Sequence, residues 1–131
     1  MARRRVNVVL DTCALLALAA GTLSAGAVAE IRRADDTSVS SVTAGEIAVK
    51  VAAGKLRLKG APERWFVDLP EHYDLREVPL DAGLACAAAA LPKIHRDPFD
   101  RVIVALARAR DATILTSDER IRQYPDVTVR W

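Results

Sequence analysis

Four acidic residues of this sequence stand where predicted strands end or predicted helices begin: Asp11, Glu46, Asp100 and Asp118. No histidine or cysteine accompanies them at the spacing of metal ligands. Ligands that are all oxygen favour Mg²⁺ or Mn²⁺. Such a site is best suited to hydrolysing a phosphodiester, because the cation lowers the pKa of bound water and neutralises charge in the transition state. We therefore predict a site for one or two divalent cations.

Each of these acids also has a purely structural interpretation. Asp11, Asp97 and Asp118 could cap helices by accepting a backbone N–H, and Glu46 could complete a capping box that begins at Thr43. Capping alone does not explain why four acids converge on one predicted edge without a lysine or arginine partner. Crowded carboxylates repel by several kcal/mol at a protein-like dielectric, and a divalent cation removes that repulsion.

A helix followed by a strand is predicted in the second half of the chain. Asp97 followed by Pro98 is typical of an N-cap with proline at the first helical position, which makes Asp100 the third residue of the helix. A strand over residues 113–115 then ends just before Asp118. Five apolar residues spaced as one buried helical stripe support the helix: Phe99, Val102, Ile103, Leu106 and Ala107.

Strands and helices alternate along the chain. The patterns predict strands over 6–10, 38–40, 75–80, 113–115 and 127–129, and further helices over 13–20, 25–33, 43–53, 60–69 and 81–91. This alternation predicts a single α/β domain over residues 1–131 with a mainly parallel sheet of four to five strands. Ligands bind such sheets beyond the carboxyl ends of the strands, which is where we expect the four acids.

Composition places the chain among folded globular proteins, with 51% hydrophobic and 27% charged residues. A net charge of +2 permits an anionic partner without requiring one, and we interpret Lys50 and the basic residues that follow it as a solvated face. Cys13 and Cys86 fit no metal or redox motif, so we expect buried free thiols in a reducing compartment.

The first 29 residues loosely resemble a secretory signal, with Arg3, Arg4 and Arg5 before an apolar stretch. Asp11 interrupts that stretch, and no segment approaches the roughly 18 apolar residues of a membrane span. We therefore expect a cytoplasmic protein that does not enter a membrane.

Four segments in order along the chain resemble PIN-domain ribonucleases, and more closely the VapC toxins of bacterial toxin–antitoxin pairs. They are Val-Val-Leu-Asp11-Thr12, Glu46-Ile47-Ala48, Arg96-Asp97-Pro98-Phe99-Asp100-Arg101 and Thr116-Ser117-Asp118-Glu119. The resemblance covers nearly the whole chain. The arginine-flanked segment, with the other three at similar spacing, is what makes it specific.

The resemblance implies a three-layer α/β/α sandwich and a Mg²⁺- or Mn²⁺-dependent endoribonuclease that inhibits translation. It also implies an RNA substrate, a cognate antitoxin as inhibitor and frequent homodimers. Thr116 would be a supporting polar residue and Asp97 a possible group behind the ligands. Gly45 stands where many relatives carry a bulkier residue. The metal-binding acids would be Asp11, Glu46, Asp100 and Asp118.

Several further residues are candidates for binding or have plain alternatives. Arg96, Arg101 and the arginines at 3–5 could hold RNA phosphates, although Arg101 could instead pair with Asp97 or Glu119. We interpret His95 as a solvent-exposed loop residue and a poor ligand candidate. The apolar residues of the helix near 61–69 could form a partner groove or simply pack in the core; they are Trp65, Phe66 and Leu69.

Two other classes of protein stay open on the sequence alone. A receiver-type phosphoacceptor domain also gathers acids at a sheet edge, but it needs an acidic pair after the first strand and a late lysine, whereas this chain has Asp11 alone. A non-catalytic binding module with the same fold is the second alternative, and the presence of all four acids argues against it.

Overall fold

The computed structural model describes residues 4–131 and contains one parallel sheet with helices on both faces. The elements, in chain order, are β1 (Asn7–Leu10), α1 (Thr12–Ala20), α2 (Ala25–Arg33), β2 (Asp36–Ser40), α3 (Ser41–Ala52), α4 (Pro62–Tyr73), β3 (Arg76–Val78), α5 (Ala82–Ala89), α6 (Pro98–Arg110), β4 (Thr113–Leu115), α7 (Glu119–Arg122) and β5 (Thr128–Arg130). The five strands are arranged in the order β3-β2-β1-β4-β5, and every pairing is parallel. The predicted α/β fold with a parallel sheet is confirmed.

The central strand β1 is buried on both faces, as its unbroken apolar run predicts. Val8 and Leu10 pack into one core cluster with residues of α1, α2, α3 and α4. Val9 points to the other face and packs with α5, α6 and α7. Alternate residues of one strand therefore serve two cores, which gives the three layers of an α/β/α sandwich.

Strand register brings the site segments together. Leu10, the last residue of β1, pairs with Val39 on one side and with Leu115 on the other. Asp11 and Thr116 consequently follow neighbouring strand ends, and the Asp11 N–H donates to the Leu115 carbonyl at 3.3 Å. The carboxyl ends of β1, β2 and β4 thus form one edge, and we call it the carboxyl edge.

Two predicted helix boundaries are wrong. The helix α3 begins at Ser41, because Ser40 at the end of β2 caps it by accepting the Val42 N–H. The capping box predicted from Thr43 therefore does not form, and Glu46 lies in the second turn of the helix. The helix α4 continues past residue 70 to Tyr73 and ends where Asp74 adopts a left-handed backbone, with φ of 55°.

Burial overturns the expectation of buried thiols and separates the three apolar residues of α4. Cys13 and Cys86 are free thiols but exposed: Cys86 lies on α5, where Ala88 is the one buried residue, and Cys13 lies on the solvent-facing side of α1. Phe66 is a core residue, whereas Trp65 and Leu69 are half-buried against the same cluster. A partner groove on α4 stays a prediction. Of the three residues proposed for it, the half-buried Trp65 and Leu69 could contact a partner, whereas the buried Phe66 could not.

Between residues 4 and 131, no single helix is long and apolar enough to cross a membrane. Only α1 and α2 taken together pass such a test of length and composition, and they are bent by 100° relative to each other.

Candidate active site

Asp11 joins the end of β1 to the start of α1 and has two roles in the geometry. One carboxylate oxygen caps α1 by accepting the Ala14 N–H at 2.8 Å, and the other accepts a short hydrogen bond from the Thr116 hydroxyl. The side chain is buried, and burial raises its pKa, with the charges of Glu46 and Asp118 adding to the effect of burial and the two hydrogen bonds opposing it. Capping does not neutralise this carboxylate.

Glu46 reaches the carboxyl edge from the second turn of α3. The Thr12 hydroxyl donates to its Oε1 at 2.8 Å, and the Lys50 ammonium lies 3.0 Å from its Oε2. The expectation that no lysine or arginine pairs with the four acids is therefore wrong for Glu46. Burial disfavours the charge on Lys50, but the hydrogen bond to Glu46 and its negative charge together raise the pKa of the ammonium group.

Asp100 is the third residue of α6, as predicted from the Asp-Pro signal. Its pKa is raised to about 7, first by burial and then by the negative charges of Asp97 and Glu46, with a smaller opposing effect of His95. A carboxyl group with such a pKa is partly protonated at neutral pH. Its surroundings thus favour a positive charge beside it.

Asp118 caps α7 and completes the edge on the side of β4. Its Oδ1 accepts the Arg120 N–H at 2.8 Å, and its own N–H donates to the Thr116 hydroxyl at 2.9 Å. Burial acts to raise its pKa, but the hydrogen bond from His95 and that from the Arg120 N–H outweigh burial and lower it.

Asp97 caps α6 by accepting the Phe99 N–H at 2.9 Å, as predicted, and it also faces the site. Ligand atoms of Glu46, Asp97 and Asp100 lie within 4.8 Å of one another, and so do those of His95, Asp100 and Asp118. Asp100 belongs to both groups. Within the described part of the chain Asp11 belongs to neither group and lies beside them.

His95 is the site residue that the sequence interpretation missed. It is 5% exposed, and its Nε2 lies 3.0 Å from one oxygen of Asp100 and 3.0 Å from one oxygen of Asp118. The interpretation as an exposed loop residue is wrong. Its place two residues before the Asp97 cap was the available signal, because the residues before an N-cap lie beside the helix entrance.

The arginines proposed to bind RNA differ in their surroundings. Arg101 pairs with neither Asp97 nor Glu119; its guanidinium donates to backbone carbonyls at the end of α5 and in the loop that follows. These bonds engage both terminal nitrogens of the guanidinium, and contact of Arg101 with RNA stays a prediction. Arg96 is exposed beside the site and stays a candidate for binding RNA phosphates.

The basic residues near the N-terminus lie at the opposite edge of the sheet. Arg4 and Arg5 line a cavity of about 470 Å³ together with the first residues of β1, β4 and β5. Arg4 and Arg5 therefore lie at the amino end of β1, away from the carboxyl edge, and their contact with RNA phosphates stays a prediction. Arg3 lies outside the described residues.

The side chains at the carboxyl edge fit a hard divalent cation. Five carboxylates gather there with two threonine hydroxyls, and the pKa values of two of the acids are raised, as expected where a positive charge is missing. A Cβ at Gly45 would lie 3.8 Å from the Phe99 ring, an ordinary van der Waals distance, so packing does not require glycine at this position. The residues that could hold the ion are Asp11, Glu46, Asp97, Asp100 and Asp118.

Comparisons with known proteins identify the family of this chain. Residues 8–127 match the PIN domain family. The chain is 31% identical over 103 residues to Ribonuclease VapC22 of Mycobacterium tuberculosis, and the alignment covers 78% of each protein.

Solved structures with the same fold include toxin–antitoxin assemblies. VapBC2 from Rickettsia felis, bound to a DNA fragment, has a TM-score of 0.69 and 14% identity over 96% of this chain and 99% of that one. A toxin–antitoxin complex from Klebsiella pneumoniae has a TM-score of 0.64 and 18% identity over 92% and 95% of the two chains. These identities show a shared fold alone. Because the family match spans most of the sequence, this chain belongs to the PIN-domain family.

Proposed function

We propose that this PIN-domain protein is a Mg²⁺- or Mn²⁺-dependent endoribonuclease and the toxin of a cytoplasmic toxin–antitoxin pair. The observation that carries the proposal is Asp100, a half-buried carboxylate that belongs to both groups of closely spaced ligand atoms and whose pKa is raised to about 7. The identity to a VapC ribonuclease supports RNA as the substrate.

The proposed ligands are Asp11, Glu46, Asp100 and Asp118, with Asp97 close enough to contribute. When bound, the ion supplies an activated water and neutralises charge on the scissile phosphate. Thr116 positions Asp11 and Asp118 relative to each other, because its hydroxyl donates to Asp11 and accepts the Asp118 N–H. Thr12 fixes one oxygen of Glu46 in the same way. The exposed Arg96 would contact RNA backbone phosphates.

The solved toxin–antitoxin assemblies with this fold support an antitoxin as partner, and a homodimer is proposed with it. A small open reading frame immediately upstream of the gene would be the first antitoxin candidate. Copurification of its product with this chain tests the pairing, and light scattering of the two proteins measures the number of copies of each.

The activity is tested by cleavage of mixed cellular RNA with chelator, Mg²⁺ or Mn²⁺. We expect cleavage only with a metal, and none with Asp100→Asn. Asp111→Asn is the matched control: it makes the same chemical change on an exposed residue whose left-handed backbone asparagine also adopts. Cleavage by Asp100→Asn at the rate of the control would contradict the assignment.

A further inference from the structure

We propose that His95 is a positioning residue whose Nε2–H donates to Asp118 and lies close to Asp100, so that it orients both carboxylates, and that it is not itself a metal ligand. This inference rests on the proposed function, because it takes these two acids to be metal ligands. It adds a residue and a defined proton position to the site.

The ring of His95 is in contact with the site through both nitrogens. Nε2 lies 3.0 Å from Oδ2 of Asp100 and 3.0 Å from Oδ2 of Asp118. On the other side of the ring, Nδ1 accepts the Asp97 N–H at 3.2 Å. The ring is buried, so water does not substitute for these partners.

The hydrogen bond at Nδ1 determines where the ring proton lies. A backbone N–H can only donate, so Nδ1 must present its lone pair to Asp97. A neutral imidazole then carries its proton on Nε2, which faces the two carboxylates. Nε2 therefore donates to Asp118 at 3.0 Å and also lies 3.0 Å from Oδ2 of Asp100, so that its hydrogen offsets part of the repulsion between the two carboxylates.

The same hydrogen bond argues against ligation of a metal by His95. A histidine that binds a metal through one nitrogen normally donates a proton from the other to a carboxylate or carbonyl. In this site the other nitrogen faces a donor. Ligation through Nε2 would leave the ring without either proton, or it would break the hydrogen bond from the Asp97 N–H.

Two residues, Tyr124 and Arg101, hold the backbone of His95 and so help to position its ring. Its N–H donates to the hydroxyl of the buried Tyr124 at 3.0 Å, and its carbonyl accepts from Arg101 at 3.3 Å. Arg101 also donates to the Pro92 carbonyl at 3.0 Å and to carbonyls at the end of α5. The arginine of the Asp-Pro-Phe-Asp-Arg segment thus acts on the site through His95.

Nitrogen NMR of ¹⁵N-histidine-labelled protein near pH 8 measures the proton position directly. The chain has two histidines, and the exposed His72 serves as the internal reference, assigned with His72→Gln. We expect His95 to carry its proton on Nε2 and none on Nδ1, both without metal and with saturating Mg²⁺. A proton on Nδ1, or loss of the Nε2 proton when Mg²⁺ binds, would overturn the proposal.

The same titration separates this inference from the proposed function. If Mg²⁺ changes neither the His95 signals nor the side-chain carboxyl signals of the acids, the metal site is wrong, and the positioning role of His95 is wrong with it. If the carboxyl signals shift while the Nε2 proton stays, both proposals are supported.

Two substitutions test the role of the donor. Glutamine keeps an N–H donor near the place of Nε2, whereas alanine removes it. We expect His95→Ala to weaken Mn²⁺ binding by about 10–100-fold, the usual effect of removing a group that orients metal ligands, and His95→Gln to restore most of it. An equal loss in both variants, or nitrogen bonded directly to Mn²⁺ in pulsed electron paramagnetic resonance of the unmodified protein, would contradict the donor role.

Discussion

Aspartate side chains at the two ends of the sheet have pKa values shifted in opposite directions. At the amino end Asp36 lies 3.0 Å from Arg76 and also contacts Arg110. Burial acts to raise the pKa of Asp36, but the hydrogen bonds and charges of the two arginines outweigh it and lower that pKa. At the carboxyl edge, burial and neighbouring acids raise the pKa of Asp11 and Asp100 instead.

The difference in pKa separates the carboxylates that stabilise the fold from those that favour binding of a cation. The amino end has its own cations, so Asp36 is a structural residue. Among the described residues, the carboxyl edge has threonine hydroxyls, the ring of His95 and Lys50, whose ammonium group pairs with Glu46. Acids that raise one another's pKa weaken the fold, and such strain is common where a site binds a cation.

Asp36→Asn should give the largest loss of stability. The substitution leaves two arginines without their counter-charge, and Arg110 already has a buried Nε without a hydrogen-bond partner among the described residues. We expect the free energy of unfolding to fall by about 1–3 kcal/mol, with RNA cleavage per folded molecule unchanged. Urea unfolding measures the first quantity, and Asp111→Asn, which alters an exposed pair, is the control.

Asp100→Asn should have the opposite sign in metal-free protein. The folded-state pKa of about 7 is above the ordinary value of 3.8, so between about pH 4 and pH 7 the folded state binds more protons than the unfolded state. Stability of the unmodified protein should therefore fall as pH rises through this range and level off above it. We expect the variant to show a shallower fall and to be the more stable protein at pH 8.

Urea unfolding at several pH values, with chelator present, measures this slope. The helix-dipole interaction lost at the third helical position is worth only about 0.3–1 kcal/mol and does not reverse the sign. A variant with the same pH slope as the unmodified protein would show that Asp100 is an ordinary helix-start residue.

Lys50→Met should have the smallest effect. The ion pair with Glu46 is spaced i, i+4 on a helix and is partly exposed, so its loss costs about 0.3–0.5 kcal/mol. Because Lys50 neutralises one proposed ligand, its removal should strengthen Mn²⁺ binding slightly. Weaker Mn²⁺ binding in calorimetry would show that the lysine supports the site rather than competing with the ion.

Local sequence predicted those parts of the fold that local interactions determine. The strand β4 and the start of α6 were placed correctly, because the Asp-Pro cap and the helical stripe are contained within a few residues. The predicted start of α3 at residue 43 is wrong because Ser40 and Thr43 are both residue types that cap helices, and Ser40 is the one that does so. Pairing of Ser40 with Val78 of β3 selects between them, and that contact is distant in the chain.

Long-range contacts also explain the errors at the site. His95 is buried because Arg101 and Tyr124 hold it from other elements, and no local pattern reports such contacts. Arg101, for its part, donates to backbone carbonyls rather than to Asp97 or Glu119, the partners predicted for it. The pairing of Lys50 with Glu46 was different in kind, since its helical spacing was visible in the sequence.

The central claim is that the carboxyl edge holds a divalent cation on its acids. Calorimetric titration of Mn²⁺ into the unmodified protein, Asp100→Asn and Asp36→Asn tests it most directly. We expect the unmodified protein and Asp36→Asn to bind Mn²⁺. We expect Asp100→Asn to lose most of this affinity while it remains folded. Unchanged Mn²⁺ affinity in folded Asp100→Asn would contradict it.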